Sequence, residues 1–172
     1  MKSTDVGETN LDETDLRLLE FIDADFDVNL EVLSDELGIS KSAVHYRLNK
    51  LQDKGIVKGI SADIDSLALG LEMAVITDVI IDHNGGNKTS VGENLRTLSG
   101  VQQVYHVMGD VDFVVISRCQ HRDQMNDLLD KIVSIDGVKE TSSRFVMDEL
   151  ETNTNLLANM SQKMKQNILD QN

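Results

Sequence analysis

The order of strand-like and helix-like segments between residues 73 and 150 constrains the fold more than any other feature of this sequence. Four segments are rich in β-branched residues or alternate in polarity, and they predict strands: 73–83, 101–108, 112–119 and 139–150. Two segments between them carry apolar residues at helical spacing, one beginning at Thr89 or Ser90 and one covering 121–135. The order β-α-β-β-α-β predicts a ferredoxin-like unit with two helices over one face of a four-stranded antiparallel sheet.

The second face of such a sheet has no helix of its own to cover it. It must meet solvent or a partner, and the apolar content of the predicted strands favours a partner. The sequence therefore predicts a homodimer that forms through this sheet face.

The N-terminal part of the sequence predicts three helices, of which the last two form a helix-turn-helix. Each helix has an apolar stripe, and the stripes contain Leu16, Leu19 and Ile22; Val32, Leu33 and Leu37; and Val44, Leu48 and Leu51. Asn29 and Ser40 are suited to cap the second and third helices, and Gly38 and Gly55 are suited to end them. Three-helix bundles without a DNA-binding function share this spacing, so the spacing alone leaves both interpretations open.

Basic residues are concentrated on the third helix of a chain that is otherwise acidic. The whole sequence has 16 Lys and Arg residues against 30 Asp and Glu residues, a formal net charge of −14, whereas residues 40–58 contain five basic residues and one acidic residue. Duplex DNA is polyanionic and is bound through Lys and Arg, so this local excess favours DNA binding despite the overall charge. A solvated helix that happens to carry several lysines is the alternative.

Helical geometry divides the third helix into a base-reading face and its phosphate-binding flanks. Ser42, Tyr46 and Asn49 lie opposite the apolar stripe, with His45 at the edge, where they can reach base edges in a major groove. Lys41, Arg47 and Lys50 flank that face and are placed for phosphates. The predicted DNA-binding residues are Ser40, Lys41, Ser42, His45, Tyr46, Arg47, Asn49 and Lys50. Partial burial of His45 and Tyr46 against a loop is the alternative.

Two segments outside these units have weaker patterns. Ile56, Val57 and Ile60 predict a short strand before a linker. In the tail, strand-like and helical patterns conflict at Leu156 and Leu157, and we expect an extended segment to about Asn159 followed by a terminal helix.

The remaining composition predicts a cytoplasmic protein without a membrane partner, a cofactor or a bound metal. The opening residues have no apolar segment, and the apolar stretch 73–81 is interrupted by Thr77 and Asp78. Cys119 is the single cysteine, which excludes an internal disulfide and a site with several thiolates. Because the acidic residues are spread along the chain and aromatic residues are 3%, we expect a high-salt cytoplasm that screens the repulsion, with an ordinary acidic protein as the alternative.

Four motifs occur along residues 11–150 in an order that a known family shares. They are LDETDLRLLEFI, LSDELGISKSAVHYRLNKLQDKGIV, VYHVMGDVDFVV and IDGVKETSSRFVM. Their first helix, helix-turn-helix, effector-domain hairpin and last core strand resemble those of the Lrp/AsnC feast-famine transcriptional regulators. The resemblance implies an α+β protein with an N-terminal winged helix-turn-helix domain in residues 1–60, a linker in 61–72 and a ferredoxin-like effector and dimerisation domain in 73–150. Residues 151–172 form a C-terminal extension.

The resemblance also implies an effector site near the predicted hairpin. Gly109 and Asp112 match the Gly-Asp-x-Asp hairpin that family members use for small effectors between dimers, and His106 and Ser143 lie at matching strand positions. An amino acid suits this chemistry, because a glycine turn leaves backbone N–H groups open to a carboxylate and an acidic side chain accepts from an ammonium group. The alternative is that Gly109 simply permits a turn while Asp112 pairs with a neighbour. Arg47 matches the arginine of the family's recognition helix.

The sequence thus predicts a sequence-specific DNA-binding transcriptional regulator. We expect it to form homodimers and larger even-numbered homo-oligomers on duplex DNA and to respond to a small effector, an amino acid. An architectural DNA-binding protein with little sequence preference and no effector is the alternative. An enzyme is disfavoured, because His106, Asp110 and Asp112 lack a nucleophile, base and orienting group in one arrangement.

Overall fold

The computed structural model describes residues 10–24, 29–59, 62, 64–83, 88–150 and 155–170, and the chain divides into two compact units. The helical unit contains Met1–Asp63 together with Thr152–Asn172, and the sheet unit contains Ile64–Glu151. In chain order the elements are α1 (Glu13–Ala24), α2 (Leu30–Leu37), α3 (Lys41–Asp53), β1 (Met73–Ile81), α4 (Lys88–Thr97), β2 (Val101–His106), β3 (Phe113–Cys119), α5 (Arg122–Val133), β4 (Val138–Phe145) and α6 (Gln162–Leu169).

The caps of the helix-turn-helix form as their sequence predicts. The Asn29 side chain accepts hydrogen bonds from the backbone N–H groups of Glu31 and Val32 at the start of α2. Gly38 ends α2 with φ +66°, a left-handed conformation that favours glycine. The Ser40 hydroxyl then accepts from the N–H of Ala43 at the start of α3. The turn between α2 and α3 is therefore set by these local residues.

The core of the helical unit joins the apolar stripes of its helices, except that Val32, predicted in the stripe of α2, is 47% exposed. Its buried residues are Leu11, Leu18, Leu33, Val44, Leu51 and Val57, and Leu19, Phe21, Ile22, Leu37, Ile39, Leu48, Ile56, Ile168 and Leu169 pack against them. The predicted buried stripe of α3 is confirmed, with Leu48 at its half-buried margin. The predicted strand at Ile56 and Val57 is wrong, because these residues form a bend after α3, and Ile60 lies outside the described residues.

The sheet unit has the predicted β-α-β-β-α-β order. Its antiparallel sheet has the strand order β2-β3-β1-β4. Alternate residues of β1 and β3 are buried against α4 and α5, in a core of Val75, Val79, Ile81, Val91, Leu95, Phe113, Val115, Cys119, Met125, Leu128 and Ile132. Val91 and Leu95, four residues apart on α4, both face this core, as the helical spacing of that segment predicts.

Some element boundaries differ from their sequence-based predictions. β4 ends at Phe145 rather than near Leu150, because Phe145 pairs with Val75 and the partner strand begins only two residues earlier, at Met73. Neither Thr89 nor Ser90 caps α4, since that helix already includes both residues. The terminal helix is confirmed as α6, but residues 156–159 form a turn instead of the expected extended segment. No helix within the described ranges is long and apolar enough to cross a membrane.

Candidate DNA-binding face and effector region

The outer face of α3 presents the polar residues that helical geometry predicts. Ser42, His45, Tyr46 and Asn49 are exposed, whereas Val44 and Leu51 on the opposite side are buried. Tyr46 is 69% exposed, and the amide Nδ2 of Asn49 lies 3.1 Å from Nδ1 of His45. The alternative in which His45 and Tyr46 pack against a loop is therefore not what the structure shows.

The N-terminus of α3 is also open and free of acidic residues in its first turn. Ser40 and Ser42 lie there with their hydroxyl oxygens 3.0 Å apart, so one hydroxyl donates a hydrogen bond to the other. Lys41 extends from the same turn, and its Nζ is 2.9 Å from a carboxylate oxygen of Glu31 in an exposed ion pair. Backbone N–H groups at a helix N-terminus attract phosphate, and an exposed lysine beside them strengthens that attraction.

Arg47 has a different position from the other predicted DNA-binding residues. Its Nη1 lies 2.6 Å from Oδ2 of Asp12 and 2.6 Å from Oδ1 of Asp15, and Asp15 is 1% exposed. These two carboxylates also cap α1, since the N–H of Asp15 donates to Asp12 at 2.7 Å and the N–H of Asp12 donates to Asp15 at 3.3 Å. Arg47 thus joins the start of α1 to the middle of α3, and we call this group the Arg47 clamp.

The electrostatics of the clamp favour the charged state of both partners. Partial burial acts to raise the pKa of Asp12, but the hydrogen bonds from Arg47 and from the N–H of Asp15 outweigh it and lower the pKa. The hydrogen bonds to Asp12 and then to Asp15 raise the pKa of Arg47. A guanidinium shared by two carboxylates is a poor phosphate ligand. The structure thus engages Arg47 with two carboxylates, which the sequence-based prediction of a phosphate contact did not anticipate because its partners lie 32 and 35 residues away.

The predicted effector residues do not meet at one place within the sheet unit. His106 and Gly109 lie at the exposed β2–β3 hairpin, where the His106 ring is 5.1 Å from the ring of Phe113 and Gly109 has φ +152°. Ser143 lies on β4, with its hydroxyl 3.0 Å from that of Thr77 on β1. Because β3 and β1 separate β2 from β4, three strand spacings of about 4.8 Å put Ser143 about 14 Å from the hairpin strand.

The side chain of Asp112 is buried and hydrogen-bonded rather than exposed on the hairpin. The residue is 8% exposed, and its Oδ2 accepts a 3.0 Å hydrogen bond from the N–H of Ile81 and lies 3.5 Å from Nε2 of His83. Its backbone N–H donates to Val79 and its carbonyl accepts from Val107. Asp112 therefore fastens the hairpin to the end of β1. The alternative in which this acid pairs with a neighbour describes its geometry.

Family models match both units of the chain. Residues 11–58 match a winged helix-turn-helix DNA-binding model, and residues 75–156 match the Lrp/AsnC ligand binding domain. Together with the exposed face of α3, these matches define a DNA-binding transcriptional regulator with a ligand-binding domain. The chain belongs to the Lrp/AsnC family.

Two related transcriptional regulators and a solved structure agree with this assignment. The HTH-type transcriptional regulator FL11 of Pyrococcus horikoshii is 32% identical over 146 residues, which is 85% of this chain and 95% of the relative. The HTH-type transcriptional regulator LysM of Saccharolobus solfataricus is 29% identical over 83% of this chain and 97% of its own length. Among solved structures, the leucine response regulatory protein LrpA of Mycobacterium tuberculosis superposes with a TM-score of 0.74 at 27% identity, covering 83% of this chain and 97% of that chain.

The fold is also similar to that of a regulator crystallised with an amino acid. The transcriptional regulator NMB0573 of Neisseria meningitidis, solved as its complex with L-Met, superposes with a TM-score of 0.79 at 24% identity. The match covers 87% of this chain and 97% of that chain. At this identity the similarity shows the shared fold.

Proposed function

We propose that this protein is a cytoplasmic, sequence-specific transcriptional regulator whose DNA binding responds to an amino acid. The observation that carries the DNA-reading part is the exposed polar face of α3, with Tyr46 at its centre. Hydroxyl, imidazole and amide groups on one helix face match the donors and acceptors that base edges display in the major groove.

The phosphate contacts are assigned to Lys41 and Lys50 and to the open N-terminus of α3. Lys41 is exposed, and its partner Glu31 is exposed as well, so the pair exchanges readily with water or phosphate. Lys50 lies half-buried on the last turn of α3. Arg47 is excluded from this set because the clamp neutralises it. Few of the described cations then face the DNA. We therefore assign sequence specificity to contacts between the polar face of α3 and base edges.

Affinity measurements with an operator and a random duplex test this assignment. Tyr46→Ala and Asn49→Ala should each reduce discrimination by about 1–3 kcal/mol if a base contact is lost. Lys50→Ala should instead weaken binding to both duplexes and reduce the salt slope by about one unit. A wild-type protein that binds both duplexes equally would overturn sequence specificity and favour the architectural alternative.

We further propose that a second copy covers the open face of the sheet, which is the face away from α4 and α5. The half-buried residues Ile76, Ile80, Val114 and Ile116 form an apolar patch there. A bidentate ion pair lies within this face, since Asp78 stands between Ile76 and Ile80 on β1 and opposite Val114, and Arg144 Nη1 and Nη2 lie 2.8 and 3.0 Å from its two oxygens. A charge that is already paired costs less to cover with a partner than a lone charge.

Light scattering of the full chain tests the dimer. Ile116→Arg should shift the protein toward monomer, because a buried cation without a partner opposes association. Asn94→Arg adds the same charge to an exposed position of α4 and should leave the mass unchanged. A monomeric wild-type protein at micromolar concentration would contradict the proposal.

The effector is proposed to bind between copies, near the hairpin. His106 and Gly109 are exposed at β2–β3, while Ser143 lies about 14 Å across the sheet by strand spacing. A molecule the size of an amino acid meets both only when another copy supplies one of them. The L-Met complex of the similarly folded NMB0573 supports this class of ligand.

Calorimetry with the twenty amino acids tests the effector site. His106→Ala should abolish binding of the identified amino acid without changing the unfolding temperature, because the side chain is exposed. Asn126→Ala, at an exposed position of α5 away from the hairpin, is the control. If the wild-type protein binds none of the amino acids, this part of the proposal fails while the DNA-binding part stands.

The working environment is proposed to be rich in salt. Thirty acidic residues against 16 basic ones repel one another at low ionic strength. Raising KCl from about 0.1 M to about 1 M shortens the Debye length from about 10 Å to about 3 Å, which should raise the unfolding temperature. A lower unfolding temperature in high salt would argue for an ordinary acidic protein.

A further inference from the structure

The segment formed by residues 155–170, which we call the C-terminal brace, follows the sheet unit in sequence but belongs to the helical unit. The ligand-binding family model ends at residue 156, and the DNA-binding family model covers only 11–58. α6 therefore lies outside both matches. The family's shared pattern assigns it no role, so its contacts must indicate what it does.

The first contact of the brace is made by its backbone. The carboxylate of Asp23, in the last turn of α1, accepts hydrogen bonds from the N–H groups of Leu156 at 3.1 Å and Leu157 at 2.7 Å. Leu157 is 8% exposed, whereas its neighbour Leu156 is 68% exposed. Two N–H groups on one carboxylate and a buried side chain beside them fix both the position and the orientation of this turn.

The second contact is made by α6. Ile168 and Leu169 pack against the core of the helical unit. Lys165 Nζ lies 2.7 Å from Oε1 of Glu20, and the two side chains are 16% and 36% exposed. The Ser161 hydroxyl caps α6 by accepting from the N–H of Met164. Apolar packing, an ion pair and a formed cap together make α6 an integral helix of this unit.

These contacts fall on the half of α1 that the Arg47 clamp does not hold. The clamp binds Asp12 and Asp15 at the start of α1, while the brace binds Glu20 and Asp23 toward its end. α1 has 12 residues, a length at which an isolated helix is marginal in water. Arg47 belongs to α3, the recognition helix. Contacts that fix α1 therefore also restrict α3 through the Arg47 clamp.

We propose that the C-terminal brace is a positioning element for DNA binding: it fixes the end of α1, and α1 fixes α3 through the Arg47 clamp. The assignment rests on α3 being the DNA-reading helix. It also gives the chain a second connection between the units, since the polypeptide enters the sheet unit after the helix-turn-helix and returns to the helical unit after β4.

Removal and return of the brace in the otherwise intact protein tests the proposal. A chain that ends at residue 154 should bind its operator about tenfold more weakly, equivalent to about 1.4 kcal/mol, at a temperature well below its unfolding midpoint. Its mass by light scattering should stay that of the wild type. A synthetic peptide of residues 155–172, added at increasing concentration, should restore the affinity. Unchanged affinity of the shortened chain would overturn the proposal, and so would failure of the peptide to restore it.

Two adjacent leucines supply a matched pair of point variants. Leu157→Ala should weaken operator binding and lower the unfolding temperature of the helical unit, whereas Leu156→Ala should change neither, because only Leu157 is buried. Equal effects of the two variants would contradict the docked geometry.

A charge exchange separates positioning from a general loss of stability. Glu20→Lys and Lys165→Glu should each weaken operator binding, and the double variant should recover most of the loss because the ion pair re-forms with its signs reversed. A double variant that is as weak as the sum of the single variants would overturn the contact. The unfolding temperatures of these variants can be measured without DNA. They therefore test the contacts of the brace even if the wild-type protein does not bind an operator.

Discussion

The helical unit and the sheet unit differ in the contacts that hold their short elements together. In the helical unit, charged pairs supplement the apolar core and join elements that are distant in sequence: Arg47 joins α3 to α1, and Lys165 joins α6 to α1. In the sheet unit, one apolar core and a paired sheet connect all the elements, and the buried acid Asp112 is bound by the N–H of Ile81. Arg47 and Lys165 of the helical unit therefore serve the fold, and charge alone does not separate them from the cations proposed to bind DNA.

The largest expected effect comes from breaking the clamp. Arg47→Ala leaves the carboxylate of Asp15 buried without its cation, so the free energy of unfolding of the helical unit should fall by about 3 kcal/mol. Urea unfolding followed by circular dichroism measures this change. Lys50→Ala removes the same charge from the same helix and should cost little stability. An Arg47→Ala protein with wild-type stability and a smaller salt slope of DNA binding would show that Arg47 faces phosphate.

The corresponding change in the sheet unit should be smaller. Asp112→Ala removes the acceptor of the buried N–H of Ile81, which should cost about 2 kcal/mol. Asp112→Asn keeps an acceptor oxygen and should recover part of that loss. Asp110→Ala, on the exposed part of the same hairpin, should leave the unfolding midpoint unchanged. Equal midpoints for Asp112→Ala and wild type would mean that the hairpin does not depend on this carboxylate.

The dependence of stability on pH tests the carboxylates of the Arg47 clamp. The folded-state pKa of Asp12 is lowered, so its contribution is fully present above the ordinary Asp range near pH 4 and is lost as the pH falls through the lower folded value. The stability difference between wild type and Arg47→Ala should therefore shrink as acid is added below about pH 4. A difference that stays constant down to pH 2.5 or so would exclude the carboxylates as its source.

The smallest effect is expected at the exposed ion pair of the helix-turn-helix. Lys41→Ala should change the free energy of unfolding by less than about 0.5 kcal/mol, because both Lys41 and Glu31 are exposed. Its effect on DNA should be larger, with a salt slope reduced by about one unit. A stability loss comparable with that of Arg47→Ala would remove the distinction between a cation used by the fold and one available to DNA.

The sequence predicted the fold well because most of its signals are local. The Asn29 and Ser40 caps and the left-handed Gly38 each act within a few residues, and the structure contains all three. The exposed face of α3 followed from helical periodicity alone. The length of β4 was overestimated because strand-like alternation continues to about Leu150, whereas the partner strand extends only two residues beyond the pairing of Val75 with Phe145.

The candidate site was harder to predict at its charged residues. Arg47 resembles a phosphate ligand when only its helix is considered, and Asp112 resembles an effector ligand when only its hairpin is considered. Each instead binds groups elsewhere in the chain: Arg47 binds acids 32 and 35 residues away, and Asp112 accepts a hydrogen bond from the N–H of Ile81, 31 residues away. No pattern within either segment contains that information.

The sequence by itself determined the order of the elements, the buried stripe of α3 and the caps of the helix-turn-helix, because hydrophobic periodicity and capping are properties of neighbouring residues. Only the tertiary structure decided which charges belong to the fold and which remain on the surface. It also decided that residues 155–170 join the helical unit rather than the sheet unit they follow. These outcomes depend on pairs such as Asp23 with Leu157, 134 residues apart, which meet only once the chain has folded.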